Sequence, residues 1–238
     1  RAAAGPVPVA DMTARISVVI PALNEAENIL ATLQALQPLR GRGHEVIVVD
    51  GGSGDRTREL ALPLADQVIS APRGRGRQID AGVAQAQGAI LWFLHADTVA
   101  GSNADEAICQ ALAGSGRDWG RFNVRLSGKH PLLRVVETMI NLRSCLTGIA
   151  TGDQGIFVQR APFEAAGGFP ELPLMEDIAL CRRLRHHSRP VCLRHRLTTS
   201  SRRWEEQGVV RTIVLMWWLR LAYFFGMDPA RLARWYRA

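Results

Sequence analysis

The sequence predicts an α/β protein in which a mostly parallel central sheet carries helices on both faces. Three observations lead there. Short runs with apolar, β-branched cores recur at Ile16–Ile20 (ISVVI), Glu45–Asp50 (EVIVVD) and Ala89–Leu94 (AILWFL), and a strand that is apolar on both sides is buried on both sides, as parallel strands are. Helical segments alternate with these runs, the order of repeated βαβ units. At 238 residues and 47% hydrophobic, the chain is long enough for one sizeable core and short for two full domains.

Taken in order, Ile16–Ile20 reads as the first strand. Asn24-Glu25-Ala26-Glu27 has the spacing of a capping box that opens a helix. Glu45–Asp50 is the second strand, Gly51–Gly54 a turn and Arg56–Ala65 a helix. Val68-Ile69-Ser70 is a third short strand, followed by the Arg/Gly loop Arg73–Arg77 and a helix from Gln78 to Gln87. Ala89–Leu94 is the fourth, ending at His95-Ala96-Asp97. Beyond residue 100 the regularity weakens. Helices are expected at 103–113, 132–145 and 175–185, with strands at 122–126 and 155–159. The organisation expected is an N-terminal extension over 1–11 with no need of order, a nucleotide-binding half over 12–100, an acceptor-binding half over 101–205, and apolar and basic helices over 206–238.

Charge is uneven along the chain. Between 181 and 238 thirteen arginines face three acids, a net of +10, whereas the first 180 residues carry 16 basic and 19 acidic groups. Nucleic-acid binding is disfavoured, because only Trp204 is interleaved with the arginine cluster before the apolar segment and no known module is present. Val209–Met227 is nearly all apolar, but Arg211 and Arg220 interrupt it, which makes a poor membrane span. It fits either a helix pair packed on the domain or peripheral docking at a membrane surface. Four cysteines with no CxxC spacing are too few for a disulfide scaffold, so reduced thiols are expected. Residues 1–11 lack the apolar stretch of about 7–15 residues in a secretory signal. The expected location is the cytoplasm, peripherally at the inner face of the membrane if the apolar segment docks.

In open α/β sheets ligands bind beyond the carboxyl ends of the strands. Those ends carry Pro21, Asn24 and Glu25, then Asp50 and Gly52, then Arg73 and Arg77, then His95, Ala96 and Asp97. Carboxylates at strand ends suit a base and ribose, and guanidinium and backbone N–H groups suit a diphosphate. Each acid alone also serves as an ordinary helix cap, but four such coincidences on one edge favour a ligand site. A dinucleotide fingerprint is absent, since Gly52-Ser53-Gly54-Asp55-Arg56 reaches Thr57 where the last glycine belongs, and no GxxxxGK[ST] loop occurs.

VVIPALNE, VVDGGSGD, GRGRQIDAG, LHAD, TGDQGIF and MED, in that order over residues 16 to about 180, make the chain resemble the family 2 glycosyltransferases of the GT-A fold. That resemblance implies a single GT-A domain and an inverting hexosyl transfer from a nucleotide diphosphate sugar, a UDP-sugar being favoured, to a hydroxyl acceptor that includes lipid-linked alcohols. It implies a nucleotide site at Pro21, Asn24, Glu25 and Asp50, with Arg77 and Asp80 at the phosphate loop. Asp97 corresponds to the last acid of the DxD motif that holds Mn²⁺ or Mg²⁺, with His95 in place of the first acid. Asp177 corresponds to the catalytic base, and Gly152, Asp153 and Gln154 lie near the acceptor. Ser200-Ser201-Arg202-Arg203-Trp204 resembles the QxxRW acceptor motif with serine for glutamine, placing Arg203 and Trp204 beside the acceptor with Glu176. On a helix adjacent residues point about 100° apart, so Asp177 is expected to face the pocket and Glu176 to turn away. The competing reading is a degenerate nucleotide-sugar binding protein that has lost turnover.

Overall fold

In the computed structural model, which describes residues 14–237, eight strands form one sheet. The expectation for 1–11 lies outside the described residues. The first half runs β1 (Ile16–Ala22), α1 (Ile29–Ala35), α2 (Gln37–Gly41), β2 (Glu45–Asp50), α3 (Thr57–Ala61), β3 (Gln67–Ser70), α4 (Arg75–Gln85), β4 (Ile90–Phe93) and β5 (Thr98–Val99). The second half runs α5 (Ala104–Ser115), β6 (Trp119–Leu126), α6 (Pro131–Thr147), a 3-10 turn at Gly152–Gln154, β7 (Phe157–Gln159), α7 (Arg160–Ala165), α8 (Glu176–Leu184), β8 (Val191–Thr199), α9 (Arg202–Gln207), α10 (Val209–Phe224) and α11 (Pro229–Arg237).

The strand order is β3-β2-β1-β4-β7-β6-β8-β5. β3, β2, β1 and β4 are mutually parallel, as the apolar runs require. β7 joins β4 and β6 antiparallel, β8 pairs β6 in parallel, and β5 closes the edge antiparallel to β8. Alternation along the strands divides the core in two. Ile16, Val18 and Ile20 pack to one side with Val46, Val48 and Trp92, whereas Val19 packs to the other with Ile47, Val49 and Phe93. α4 lies flush on this second face because Gly82 has no side chain, and a Cβ there would sit 2.5 Å from Val19 Cγ1.

The amino-terminal edge of the parallel strands is closed by saturated carboxylates. Buried Glu45 accepts from Gln87 N at 2.6 Å, Gly88 N at 3.1 Å and Arg15 Nη2 at 3.3 Å, as well as from Ser17 Oγ. Asp66 accepts from Val46 N at 2.7 Å and takes both arms of Arg40. Asp105 takes both arms of Arg42 and lies 3.2 Å from His44 Nε2.

Several expectations change. The helix after β1 begins at Ile29 with Asn28 at its N-cap, and Asn24 adopts φ +55, so Asn24–Glu27 is no capping box. Asn24 is spent on a neighbouring loop, donating its backbone N–H to Ser53 Oγ and accepting from Gly54 N, both at 2.9 Å. α3 ends at Ala61, four residues early, and α4 starts at Arg75, so Arg75 and Arg77 belong to a helix's first turn and not to a free loop. Cys145 and Cys192 form a disulfide between the end of α6 and β8, which corrects the expectation of reduced thiols. The two residues are 47 apart in sequence, and the fold brings their Cα atoms to 5.9 Å, a normal spacing for a bridge. Residues 209–227 form α10 and the turn towards α11, and among the described residues no helix is long and apolar enough to cross a membrane.

Candidate active site

A cavity of about 690 Å³ opens at the carboxyl ends of β1 and β4. Its floor is Pro21, Ala22, Leu23 and Glu25, and one wall is Arg73–Gln78 at the start of α4. His95, Ala96 and Asp97 form the second wall, Glu171–Leu174 and Glu176 the third. Arg203, Ala233 and Tyr236 close the far side. Local chemistry fixes each piece. Gln78 is buried and donates through Nε2 to Ala22 O at 2.9 Å and Val49 O at 2.8 Å, tying α4 to the ends of β1 and β2. Gly74 reaches φ +142, a backbone state that side chains disfavour, and so turns the chain into α4. The Ala96 carbonyl accepts from buried Thr32 Oγ1 at 2.8 Å.

The acidic side of the cavity is under-satisfied. Burial raises the Glu25 pKa, and nearby Asp97 raises it further against the hydrogen bond from Asn28 and the charge of Arg202. His95 places Nδ1 3.3 Å from Asp153 Oδ1, while its buried Nε2 has no partner. One imidazole and two carboxylates on one wall suit a hard or borderline divalent cation such as Mg²⁺ or Mn²⁺. Among the described residues no three His, Cys, Asp or Glu side chains form a ready-made metal cluster. Diphosphate oxygens would therefore complete the coordination, the usual arrangement for Mg²⁺.

The basic side carries Arg73, Arg75, Arg77 and Arg203. Arg77 pairs with exposed Glu171 at 3.0 Å. Arg203 stacks its guanidinium 3.7 Å from the centre of the Tyr236 ring, and its Nη1 is buried without a partner. Arg75 Nη1 lies 3.0 Å from Glu176 Oε1. Although burial works against its charge, Glu176, Tyr236, Asp177 and Asp153 hold Arg75 more firmly protonated than usual.

α8 enters through Met175, which takes φ +67 without being glycine. Glu176, 2% exposed, faces the main cavity, contrary to the expectation that it turns away. Asp177 lies in a small recess that shares Pro21, Arg75, His95 and Glu176 with the cavity. Its carboxylate accepts from Gly152 N at 2.9 Å and Ile178 N at 2.7 Å. Burial and the neighbouring Glu176 charge raise its pKa, outweighing those bonds and Arg75. Gly152 gives the His95 ring room, since a Cβ there would meet His95 Nε2 at 2.3 Å and displace the ring.

The structure thus brings Pro21, Glu25, Arg73, Arg77, His95, Ala96, Asp97, Glu176 and Arg203 together around one cavity, with Gly152 and Asp177 in the adjoining recess. Asp50 is folded onto its own turn, accepting from Gly52 N and Ser53 N at 3.2 Å, and neither it nor Gly52 lines the cavity. Asp80 accepts from Phe169 N at 3.2 Å and braces the Gly167–Gly168 turn. Gln154 is fully buried, donating to Ser144 Oγ at 2.9 Å, and Trp204 packs beside Leu133 and Val136. Asp153 lies 3.3 Å from His95 Nδ1 and also acts electrostatically on Arg75. Sequence reasoning missed Arg75, Gln78 and Tyr236. The first two sit inside the GRGRQ motif, whereas no sequence signal points to Tyr236.

The sequence profile described as Glycosyl transferase family 2 matches residues 17–127, from β1 to the end of β6. Glycosyltransferase AglE of Haloferax volcanii is 33% identical over 121 residues, 47% of this chain and 40% of that protein. Among solved structures, S. aureus TarS in complex with UDP superposes with a TM-score of 0.63 at 18% identity, covering 78% of this chain and 60% of that one. Glucosyl-3-phosphoglycerate synthase from Mycobacterium tuberculosis, in complex with Mn²⁺, UDP and glucosyl-3-phosphoglycerate, superposes with a TM-score of 0.57 at 21% identity over 84% of this chain and 77% of that one. The fold is the GT-A fold. The matched segment covers less than half of AglE.

Proposed function

We propose that this chain, a family 2 glycosyltransferase over residues 17–127, moves a hexose with inversion from a nucleotide diphosphate sugar to a hydroxyl acceptor carried on a membrane lipid. A UDP-sugar is the favoured donor, since the solved neighbours include UDP complexes. The observation that carries the reading is the division of the cavity, with Glu25, His95 and Asp97 on its floor and one wall, Arg73 and Arg77 on another wall, Arg203 at the far side, and the Glu176-Asp177 helix start beside them.

Donor binding sets the diphosphate against Arg73, Arg77 and Arg203, whose unpartnered Nη1 is available to a phosphate oxygen. Asp97 and His95 would hold the Mn²⁺ or Mg²⁺, which would supply positive charge to the diphosphate when bound. Asp177 takes the acceptor hydroxyl's proton as that oxygen attacks the anomeric carbon from the face opposite the leaving group. The glycosidic bond forms, the bond from the anomeric carbon to the phosphate oxygen breaks, and the nucleoside diphosphate leaves with the bonding electron pair. A raised pKa makes Asp177 a stronger base than an ordinary aspartate. Glu176 and Arg75 neutralise each other at the cavity wall and orient the start of α8.

A thermal-shift screen of UDP, GDP, CDP and dTDP with and without Mn²⁺ tests the donor assignment. A nucleotide at 100 times its dissociation constant adds about 2.7 kcal/mol of stability. UDP with Mn²⁺ is expected to give the largest shift, and Asp97→Ala to weaken UDP binding mainly when Mn²⁺ is present. Equal affinity of the two proteins in Mn²⁺ overturns the cation site.

A further inference from the structure

We infer that the adjoining outer faces of α6 and α10 form a docking surface for an anionic lipid bilayer, holding the cavity beside the membrane. The inference rests on the transferase reading only for what a docked cavity meets. α6 turns Val135, Met139, Leu142 and Leu146 outward, 48–67% exposed, at the four-three-four spacing of one helical stripe. α10 does the same with Val214, Trp217, Leu221 and Phe224, 51–70% exposed. The inner sides are satisfied. Leu133 and Val136 of α6 pack with Val209 and Ile213 of α10, so the first halves of the two helices adjoin. Each helix is about 25 Å long at 1.5 Å per residue, and paired stripes of that length exceed the scattered apolar residues of an ordinary surface.

Charge selects the occupant. α10 contains no Asp or Glu and α6 only Glu137, while exposed Glu205, Glu206 and Asp228 lie just beyond the ends of α10. Glu137 is buried, accepts from Leu126 N and pairs with Arg134. Exposed Lys129 and Arg211 mark the rim. A second copy docked through the same face would add its own basic excess, thirteen arginines against three acids over 181–238, because a twofold interface joins the same surface of both copies. Anionic headgroups supply the missing negative charge. Exposed indoles at Trp217 and Trp218 also suit the headgroup boundary, where tryptophan concentrates. Docking is the mode, as no described helix is long and apolar enough to span.

The surface backs directly onto the site. Leu219 and Ala222, on the inner side of α10, pack against Met175 and Ile178 at the start of α8. Arg220 lies within electrostatic reach of Asp177 and Asp153. About one helix diameter, roughly 10–12 Å, therefore separates the outer face from the recess holding Asp177. The acceptor class this favours is an amphiphile whose hydroxyl stands just above the headgroups.

Flotation with phosphatidylcholine vesicles, with and without phosphatidylserine, tests the inference. The protein is expected to float with the phosphatidylserine vesicles at low salt, to be released by added salt, and to bind plain phosphatidylcholine weakly. Trp217→Glu combined with Phe224→Glu should weaken vesicle binding by about tenfold or more, with melting temperature and nucleotide-induced shift unchanged. Wild-type protein remaining at the bottom of the gradient, or a double variant floating as well as wild type, overturns it. So does a solution dimer, seen by light scattering, that the same two substitutions split while vesicles stay unbound. Nucleotide binding is read separately, so its loss would count against the donor site and its retention in a non-floating protein against docking alone.

Discussion

The two ends of the parallel sheet treat their carboxylates in opposite ways. At the amino-terminal edge Glu45 accepts from three backbone or side-chain donors besides Arg15, and Asp66 and Asp105 each hold both arms of an arginine. Burial opposes their charge, but Arg40 and Arg42 hold Asp66 and Asp105 below the ordinary aspartate value. At the carboxyl-terminal edge Glu25 and Asp177 are raised, chiefly by burial and then by a neighbouring acid. Negative charge is compensated at the amino-terminal edge and left short of compensation at Glu25 and Asp177, whereas, although burial opposes its charge, His95 and Arg75 hold Asp153 below the ordinary aspartate value. On the proposed function, free energy withheld from stability at Glu25 and Asp177 is what binding and proton transfer draw on.

The sharpest way to break that contrast is at Asp177. Asp177→Asn keeps size and polarity but removes proton acceptance, so transfer should fall by about 10² or more, roughly 3 kcal/mol of barrier, with donor affinity retained. Near wild-type transfer by this variant, in a coupled assay for nucleoside diphosphate release, removes the base assignment. On the opposite edge Glu45→Ala should leave transfer per folded molecule unchanged. Gln87 N and the Ser17 hydroxyl then lose their acceptor, while Gly88 N keeps its bond to Ser17 Oγ; the loss should cost about 2 kcal/mol of stability, read as a lower Tm and denaturant midpoint. An acid titration separates the edges in one sample. Asp66 and Asp105 contribute stability that is present above their unfolded value of 3.8 and lost as pH falls through their lower folded values. Asp177, raised, takes up its proton at a higher pH, so activity should fail while circular dichroism still reports a folded protein. The smallest effect expected is in Glu176→Gln. It removes a like charge beside Asp177 and frees Arg75, so the acid limb of the rate profile should move to lower pH.

How legible each part was follows from the range of the interactions that make it. β1, β2 and β4 were visible because burial on both faces writes an unbroken apolar run. β8 was not, because Arg194, His195 and Arg196 are exposed and its place is set by pairing with β6 and β5. The cavity wall at Glu25, Arg73, Arg77 and Asp97 could be read from strand ends, since loop position follows from sheet direction. Asp50, at an equivalent strand end, is consumed by its own turn, a choice that Gly52 and Ser53 make through local backbone geometry no spacing reveals. The pairing of Arg75 with Glu176 joins residues 101 apart, and it reverses the expected facing of Glu176. Helical angle alone fixes the separation between neighbours, whereas which of them looks inward depends on the left-handed entry at Met175.

The stack of Arg203 on Tyr236 has a temporal meaning as well as a spatial one. The floor of the cavity is laid down at Pro21 and its far wall only at Tyr236, so 215 residues of synthesis separate the two. At about 5–20 residues per second this is on the order of 10–40 s, during which the strands of the first half can pair and core. A nascent chain at that stage owns the acidic wall and the α4 arginines but not the aromatic closure. In the order of synthesis the floor and acidic wall of the cavity therefore precede the aromatic closure that α11 brings.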